Sequence, residues 1–276
     1  MRALAPALLL ALAACNQQGG EPVQRIDLDE IGPNAPKETA TPSPTPSVAA
    51  ADDACRDVSF GGASLTDCVA DPARHTIMTA LAPESGTPWR GFAGLKAAIE
   101  PDAKVAFAVN AGMFDGEGKP IGYYVEDGNR LKELNRADGP GNFHMKPNGV
   151  FFGTGGKWRV MDSDRFYSTV GDRPAFGTQS GPMLVVGGKL HPQITDDGPS
   201  KAIRNGVGVD SAGRAHFVIS NEPVSFGVIA RYFRDEVKAK DALFLDGNVS
   251  ALWDPARGRM DARTPIGPML VVTEKE

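Results

Sequence analysis

From Thr76 onward the hydrophobic residues fall in short blocks, and the spacing inside each block sets the element it predicts. Thr76–Leu81, Val105–Val109, Gly149–Phe152, Trp158–Met161, His216–Ile219 and Ala242–Leu245 are short apolar runs set off by turn residues, the mark of β-strands. Phe92, Leu95 and Ile99 recur at helical spacing, so Trp89–Ile99 predicts an amphipathic helix stopped by Pro101. Phe226–Val237 predicts another, with Ser225 placed to accept a main-chain N–H of its first turn. Strand–helix–strand thus occurs twice, and each copy ends in a polar residue beside glycine: Asn110-Ala111-Gly112 and Asp246-Gly247-Asn248. A second echo, Gly181-Pro182-Met183-Leu184-Val185-Val186, returns at residues 267–272. Both echoes predict two related halves within one domain. Many short strands, Gly-rich turns and few helices place the domain in the α+β class, with twisted, mostly antiparallel sheets and a few packed helices.

The front of the chain has a different pattern. Arg2 precedes an Ala/Leu run over residues 3–12 that is too short to remain as a spanning helix. It ends in Leu12-Ala13-Ala14-Cys15, which resembles a bacterial lipoprotein signal: residues 1–14 as leader and Cys15 as the lipidated first residue. Asn16 after the cysteine resembles outer-membrane sorting, so the expected location is the cell envelope, on the periplasmic face of the outer membrane. Residues 15–53 are rich in Pro, Ala and Thr and offer little to bury, which predicts a disordered tether. The folded domain is expected over residues 54–276, a usual size for one domain. Once Cys15 is lipidated, Cys55 and Cys68 remain. In an exported chain the simplest expectation is a disulfide, whose short loop is worth roughly 3 kcal/mol.

Composition adds limits. The 276 residues are 41% hydrophobic and 23% charged, with a net charge of −5, which gives no footing for a nucleic-acid partner. There is no Gly-x-Ser-x-Gly elbow, His-Glu-x-x-His or Cys-x-x-Cys. The four histidines are scattered, and His75 and His216, in matching strand contexts, read as structural.

What remains is a set of polar residues at strand ends and in turns, where binding groups commonly sit. Asp246 stands out, because a carboxylate directly after three apolar residues is desolvated unless it has a partner or a purpose. Its alternative is a turn aspartate bonding its own backbone. Asn110 has the same two readings. Arg204 offers a planar guanidinium suited to phosphate or carboxylate, or else a surface ion pair with Asp196 or Asp197. Gln179-Ser180-Gly181 can present N–H groups to an anion. Glu126, Asn142 and Asn148 complete the strand-end set.

Taken in order, several stretches resemble the phosphodiester glycosidase family, whose animal relative is the lysosomal uncovering enzyme, N-acetylglucosamine-1-phosphodiester α-N-acetylglucosaminidase. They are Asn110-Ala111-Gly112-Met113-Phe114, Pro120-Ile121-Gly122-Tyr123-Tyr124, Gly141-Asn142-Phe143, Pro147-Asn148-Gly149-Val150, Gln179-Ser180-Gly181-Pro182-Met183-Leu184, Ile203-Arg204-Asn205-Gly206-Val207-Gly208 and Leu245-Asp246-Gly247-Asn248-Val249-Ser250. One departure concerns the substrate: where the animal relative has Asp-Gly-Gly-Gly-Ser, this chain has Asp246-Gly247-Asn248-Val249-Ser250.

The resemblance implies hydrolysis between a sugar's anomeric carbon and a phosphodiester oxygen, releasing free sugar and a phosphomonoester. A carboxylate would stabilise the oxocarbenium-like transition state, and phosphate is a good enough leaving group that an arginine can take over much of the work of a second acid. On that reading Asp246 is nucleophile or charge stabiliser and Arg204 the phosphate clamp. Asn110, Gln179, Ser180, Gly181, Gly247, Asn248, Ser250, Asn142 and Asn148 contact sugar or phosphate, and Glu126 is the candidate second carboxyl. No cofactor is expected at first, with a divalent cation left open. Two other readings stand: a non-catalytic lipoprotein binding envelope glycans, and a metal-assisted phosphodiesterase that leaves the phosphate on the sugar.

Overall fold

The computed structural model describes residues 53–83, 86–100 and 102–275. The expected leader, tether and lipidated Cys15 lie outside these residues, as does Pro101. Three antiparallel sheets surround one core. The first has seven strands in the order β1 (Cys55–Phe60), β2 (Ala63–Ala70), β13 (Ala215–Ser220), β12 (Asn205–Val209), β14 (Ala242–Phe244), β10 (Met183–Val186) and β11 (Lys189–Leu190). The second has five, β16 (Arg259–Met260), β15 (Leu252–Asp254), β4 (Val105–Asn110), β17 (Met269–Glu274) and β3 (His75–Ala80). The third also has five, β6 (Asn129–Lys132), β5 (Tyr124–Glu126), β9 (Phe176–Ser180), β7 (Gly149–Thr154) and β8 (Lys157–Asp162). The expected α+β class with mostly antiparallel pairing is what the fold shows.

Each sheet gives one phenylalanine to a common centre. Phe217 of β13 meets Phe107 of β4 at 5.4 Å and Phe151 of β7 at 5.6 Å, both edge-on. Such pairs add about 0.5–1.5 kcal/mol each beyond the area they bury. Each sheet is also backed by one helix. Helix α1 (Phe92–Ala98) lays Phe92 and Leu95 on the second sheet beside Trp253 and Val271. Helix α2 (Ser163–Thr169) packs Phe166 between Tyr123 and Phe152, 4.9 Å from each. Helix α3 (Phe226–Asp235) buries Ile229 and Phe233 on the first sheet against Leu65 and Val218.

The helix expected over 89–99 is shorter than its apolar spacing suggested, because Arg90 adopts a positive φ of 58° and holds the chain out of helical geometry until Phe92. Ser225 caps α3 as expected, its hydroxyl accepting the Val228 N–H at 3.3 Å. Cys55 and Cys68 face each other across β1 and β2 and form the disulfide. The four exposed residues of β6 leave that strand as an open edge.

The two related halves are visible in the pairing. β3 and β4, joined through α1, lie on either side of β17, antiparallel to both. β13 and β14, joined through α3, lie on either side of β12 in the same way. Asn110 at the end of β4 and Asp246 just past β14 are therefore equivalent positions. The six-residue echo does not follow this symmetry: its first copy forms β10, which flanks β14, whereas its second forms β17, whose counterpart is β12. That repeat records a common local need, a strand entering the core after Gly-Pro.

Candidate active site

The two strand ends meet, and each holds the other. The Asn110 side-chain amide donates to the Asp246 carbonyl at 2.9 Å and, at a long 3.5 Å, to the Ala111 carbonyl. Its oxygen accepts from the Ala251 N–H at 2.9 Å and from the Asn205 side chain at 2.8 Å. Asp246 N–H returns to the Ala111 carbonyl at 3.2 Å, and Leu245 N–H to that of Asn205 at 3.2 Å. Ser250 closes the ring, its hydroxyl within 3.3 Å of Asn205 Oδ1 and 3.1 Å of the Gly247 carbonyl. With every donor and acceptor of Asn110 engaged within the protein, its side chain fastens the chain that carries Asp246.

Asp246 itself is buried, and its Oδ1 accepts the Asn248 N–H at 3.3 Å, starting a 3-10 turn over Gly247–Val249. Desolvation raises its pKa above the usual aspartate value, with the Asn248 bond opposing. No cation contacts this carboxylate among the described residues, so it is held as a desolvated, more basic group. Asn248 is exposed beside it.

Arg204 arrives on the same patch. Its Nε donates to the Val224 carbonyl at 3.0 Å, and Nη2 donates to the Ser200 carbonyl at 3.0 Å and its hydroxyl at 3.1 Å. The guanidinium carbon lies 3.6 Å from the centroid of the Phe226 ring and 5.6 Å from that of Phe244. Gly247 packs on that same Phe244 ring so closely that a Cβ there would overlap it, which is why this position takes glycine. Phe244 thus joins the arginine to the aspartate loop. The surface ion pair with Asp196 or Asp197 is not formed: Asp196 lies against Arg231, and Asp197 against Lys201. Arg204 is 97% buried, its contacts among the described residues are neutral oxygens and rings, and desolvation lowers its pKa to about 10. A buried cation left without an acid is the arrangement that an anionic ligand completes.

A second group lies on β9 and the 142–148 loop. Gln179 is saturated: its Oε1 accepts from Tyr123 and Asn135 N–H at 2.9 Å each, and its Nε2 donates to the Asn135 carbonyl at 2.7 Å and Ser163 Oγ at 3.0 Å. Its side chain thereby ties β9 to the 123, 135 and 163 segments. Ser180 differs, because its hydroxyl is fully buried and has no hydrogen-bond partner among the described residues. Along β9 it shares a face with Thr178, whose hydroxyl accepts the Gly112 N–H at 3.0 Å, so Ser180 points toward the side where the Asn110–Gly112 segment leads to Asp246. Gly112 comes so close that a Cβ there would strike the Gln179 carbonyl, and the two groups are joined at this contact. Gly181 packs on the carbonyls of Asn142 and Phe143, and Asn148 fixes that turn by donating to Phe143 O at 2.8 Å.

Glu126 is on the third sheet. It lies at the β5–β6 hairpin, where it accepts the Tyr124 hydroxyl at 2.8 Å; burial raises its pKa while the Tyr124 bond opposes. Asn205, to which the sequence alone assigned no role, proves central to the Asn110 ring. Its sign was the adjacency to Arg204 at the start of a strand. Phe226 and Ser200, which hold Arg204, carry no such sign. Among the described residues no group of three or more His, Cys, Asp or Glu is placed to hold a metal ion.

The comparisons with known proteins bear on the family and the fold. The chain is 34% identical over 191 residues to the uncharacterized protein YigE of Escherichia coli K12, an alignment covering 69% of this chain and 74% of that one. Its fold is similar to the zebrafish N-acetylglucosamine-1-phosphodiester α-N-acetylglucosaminidase catalytic domain auto-inhibited by its pro-peptide, with TM-score 0.54, 14% identity and coverage of 80% and 82% of the two chains. A putative exported protein of Burkholderia pseudomallei K96243 aligns at TM-score 0.50 and 12% identity, over 76% and 74% of the chains. At such identities the structures speak for the fold alone. The phosphodiester glycosidase family model matches residues 103–273, a stretch that holds Asn110, Ser180, Arg204 and Asp246, and the chain belongs to that family.

Proposed function

We propose that the protein hydrolyses the glycosidic bond of a sugar-1-phosphodiester, releasing free sugar and a phosphomonoester. The observation that carries this reading is Arg204, a buried guanidinium with no acidic partner among the described residues, tied through Phe244 to the loop that presents the desolvated Asp246 carboxylate. The phosphodiester binds with its charge on Arg204, which lowers the cost of breaking the anomeric C–O bond because the departing phosphate is already stabilised. Asp246 faces the positive charge that develops at the anomeric carbon, as nucleophile or as electrostatic stabiliser, and water supplies the new hydroxyl. The buried Ser180 hydroxyl donates to a phosphate or sugar oxygen, and exposed Asn248 narrows the mouth on the sugar side. Glu126, half-buried and held by the Tyr124 hydroxyl, stays the candidate second carboxyl. A divalent cation, if the enzyme uses one, would draw on Asp246 with amide and main-chain oxygens.

In the cell we place this activity on a lipid-anchored protein of the envelope, with Cys15 lipidated and residues 16–53 as tether. The disulfide suits an exported domain, and no helix among the described residues is long and apolar enough to cross a membrane. A second reading has one observation behind it: Asp246 also serves as a turn cap, which a non-catalytic glycan-binding pocket would need as well. Mass labelling separates the readings. In water enriched in heavy oxygen, the proposed reaction puts the label on the sugar, a phosphodiesterase puts it on the phosphate, and a binding protein yields neither product.

A further inference from the structure

On the outer face of the third sheet, a groove of about 610 Å³ opens between the 130–136 segment and α2. Its floor is apolar: Tyr123 and Phe166, locked edge-on at 4.9 Å, with Leu134 and Val170. Its rim carries three guanidinium groups from three segments, Arg130, Arg136 and Arg173. Arg136 is fixed in plane, its Nε 3.0 Å from Asp164 Oδ1 and its guanidinium carbon 4.3 Å from the centroid of the Tyr167 ring. Tyr167 is 66% exposed, a large aromatic surface left to solvent. Arg173 donates to the Gly128 carbonyl at 3.3 Å, and no carboxylate among the described residues pairs with it. Of the two acids on the rim, Glu133 is already engaged with Arg130 at 3.0 Å, and Asp172 is the other. Arg130 and Arg136 are thus each matched by a carboxylate, and Arg173 is the rim guanidinium that holds no carboxylate contact among the described residues.

An aromatic floor matches the apolar face of a sugar ring, and guanidinium forks match phosphate oxygens. We propose that this groove is a second binding site, for a phosphate-bearing glycan, separate from the Asp246 site. The groove is preformed, because Gln179 pins both walls at once: its side chain bonds Tyr123 in the floor, Asn135 in the rim segment and Ser163 at the start of α2. Since Ser180 is the next residue, the walls of the groove are indexed to the catalytic side. A glycan held here would keep its phosphodiester links close to the enzyme between turnovers. The source of such a ligand is either a soluble phosphoglycan or a glycolipid headgroup, and the chemistry recognised is the same.

The test is calorimetric titration of the full chain carrying Arg204→Ala, which removes the anion contact of the first site. The probes are N-acetylglucosamine 1-phosphate, N-acetylglucosamine, inorganic phosphate and phosphatidylglycerol vesicles. The expected result is that the sugar phosphate still binds, more weakly at higher salt, with the neutral sugar and inorganic phosphate each at least about tenfold weaker. Adding Arg173→Ala or Tyr167→Ala, both exposed positions, should weaken it by about five- to tenfold. In the otherwise unaltered chain, the same two substitutions should leave turnover of a small sugar-1-phosphodiester unchanged. Loss of all binding with Arg204→Ala alone, or affinity indifferent to Arg173 and Tyr167, would overturn the proposal. So would binding to the vesicles without binding to the sugar phosphate. Groove binding that persists while no sugar-1-phosphodiester is turned over would count against the catalytic reading and leave this one standing.

Discussion

Asn110 and Asn205 are bonded to each other at the junction of the two halves, and their removal should be strongly non-additive. Asn110→Ala orphans two buried groups, the Ala251 N–H and the Asn205 amide, and takes one of two partners from the Asp246 carbonyl, which keeps the Val249 N–H at 3.3 Å. At about 1–3 kcal/mol per orphaned group, partly relieved by relaxation, the cost is about 4–5 kcal/mol. Asn205→Ala leaves less unsatisfied: Asn110 Oδ1 keeps Ala251, and the Ser250 hydroxyl keeps the carbonyls of Ile203 and Gly247. Its cost is one neutral bond and a small cavity, about 2–3 kcal/mol. In the double variant the Asn205 amide is no longer present to be orphaned, so the total should fall short of the sum by about 1–2 kcal/mol. Urea denaturation of all four proteins at constant m-value measures this, and a domain of this size should lose about 10 °C of Tm in Asn110→Ala. Strict additivity, or a larger loss in Asn205→Ala than in Asn110→Ala, would refute the view that Asn110 is the hub.

Four further outcomes follow. The Asp246 pKa is raised in the fold, so the folded state holds that proton more tightly than the unfolded chain does, and the stability contribution falls as pH rises from about 3.8 through the folded value. Asp246→Asn should therefore be at least as stable as the parent at neutral pH while losing turnover, which thermal melts and product assays check together. Burial pushes the Asp67 pKa up, but its bonds to His216, Tyr232 and Arg56 outweigh this, leaving it below the ordinary value; its stabilisation is full above pH 3.8 and is lost as pH falls through the folded value. Asp67→Asn should cost about 3 kcal/mol at neutral pH and flatten the acid limb of a stability-against-pH curve. Replacing Cys55 and Cys68 by serine opens a short loop and should cost about 3 kcal/mol, read from the urea midpoint. Arg204→Ala should raise KM for a phosphodiester substrate by about a hundredfold, with Arg204→Lys only partly restoring it, because lysine can neither stack on Phe226 nor bond two oxygens in one plane.

The strand–helix–strand periodicities, the Ser225 cap and the doubling of the motif at Asn110 and Asp246 were legible in the sequence because each depends on local spacing and burial. The part of the site that was not legible depends on contacts across the fold. Asn110 and Gln179, each two residues before a glycine at a strand end, look like ligand-facing amides. Only the positions of Asn205, Ala251, Asn135 and Ser163, distant in sequence, show that both amides are saturated. Arg204 is the opposite case: acids at 196 and 197 suggested an ion pair, yet the chain folds Phe226 over the guanidinium instead. The exact repeat of Gly-Pro-Met-Leu-Val-Val was the most conspicuous pattern and proved the weaker guide to symmetry, since strand order, which the sequence does not display, decides equivalence.

The measurement to make first offers the full chain a panel of sugar-1-phosphodiesters, nucleotide sugars among them, and follows free sugar against sugar 1-phosphate, with the Asp246→Asn variant alongside. The chemistry argued from Asp246 and Arg204 predicts free sugar from the parent and a loss of at least about a hundredfold in the variant. Sugar 1-phosphate as the product, or free sugar released equally by Asp246→Asn, would contradict it.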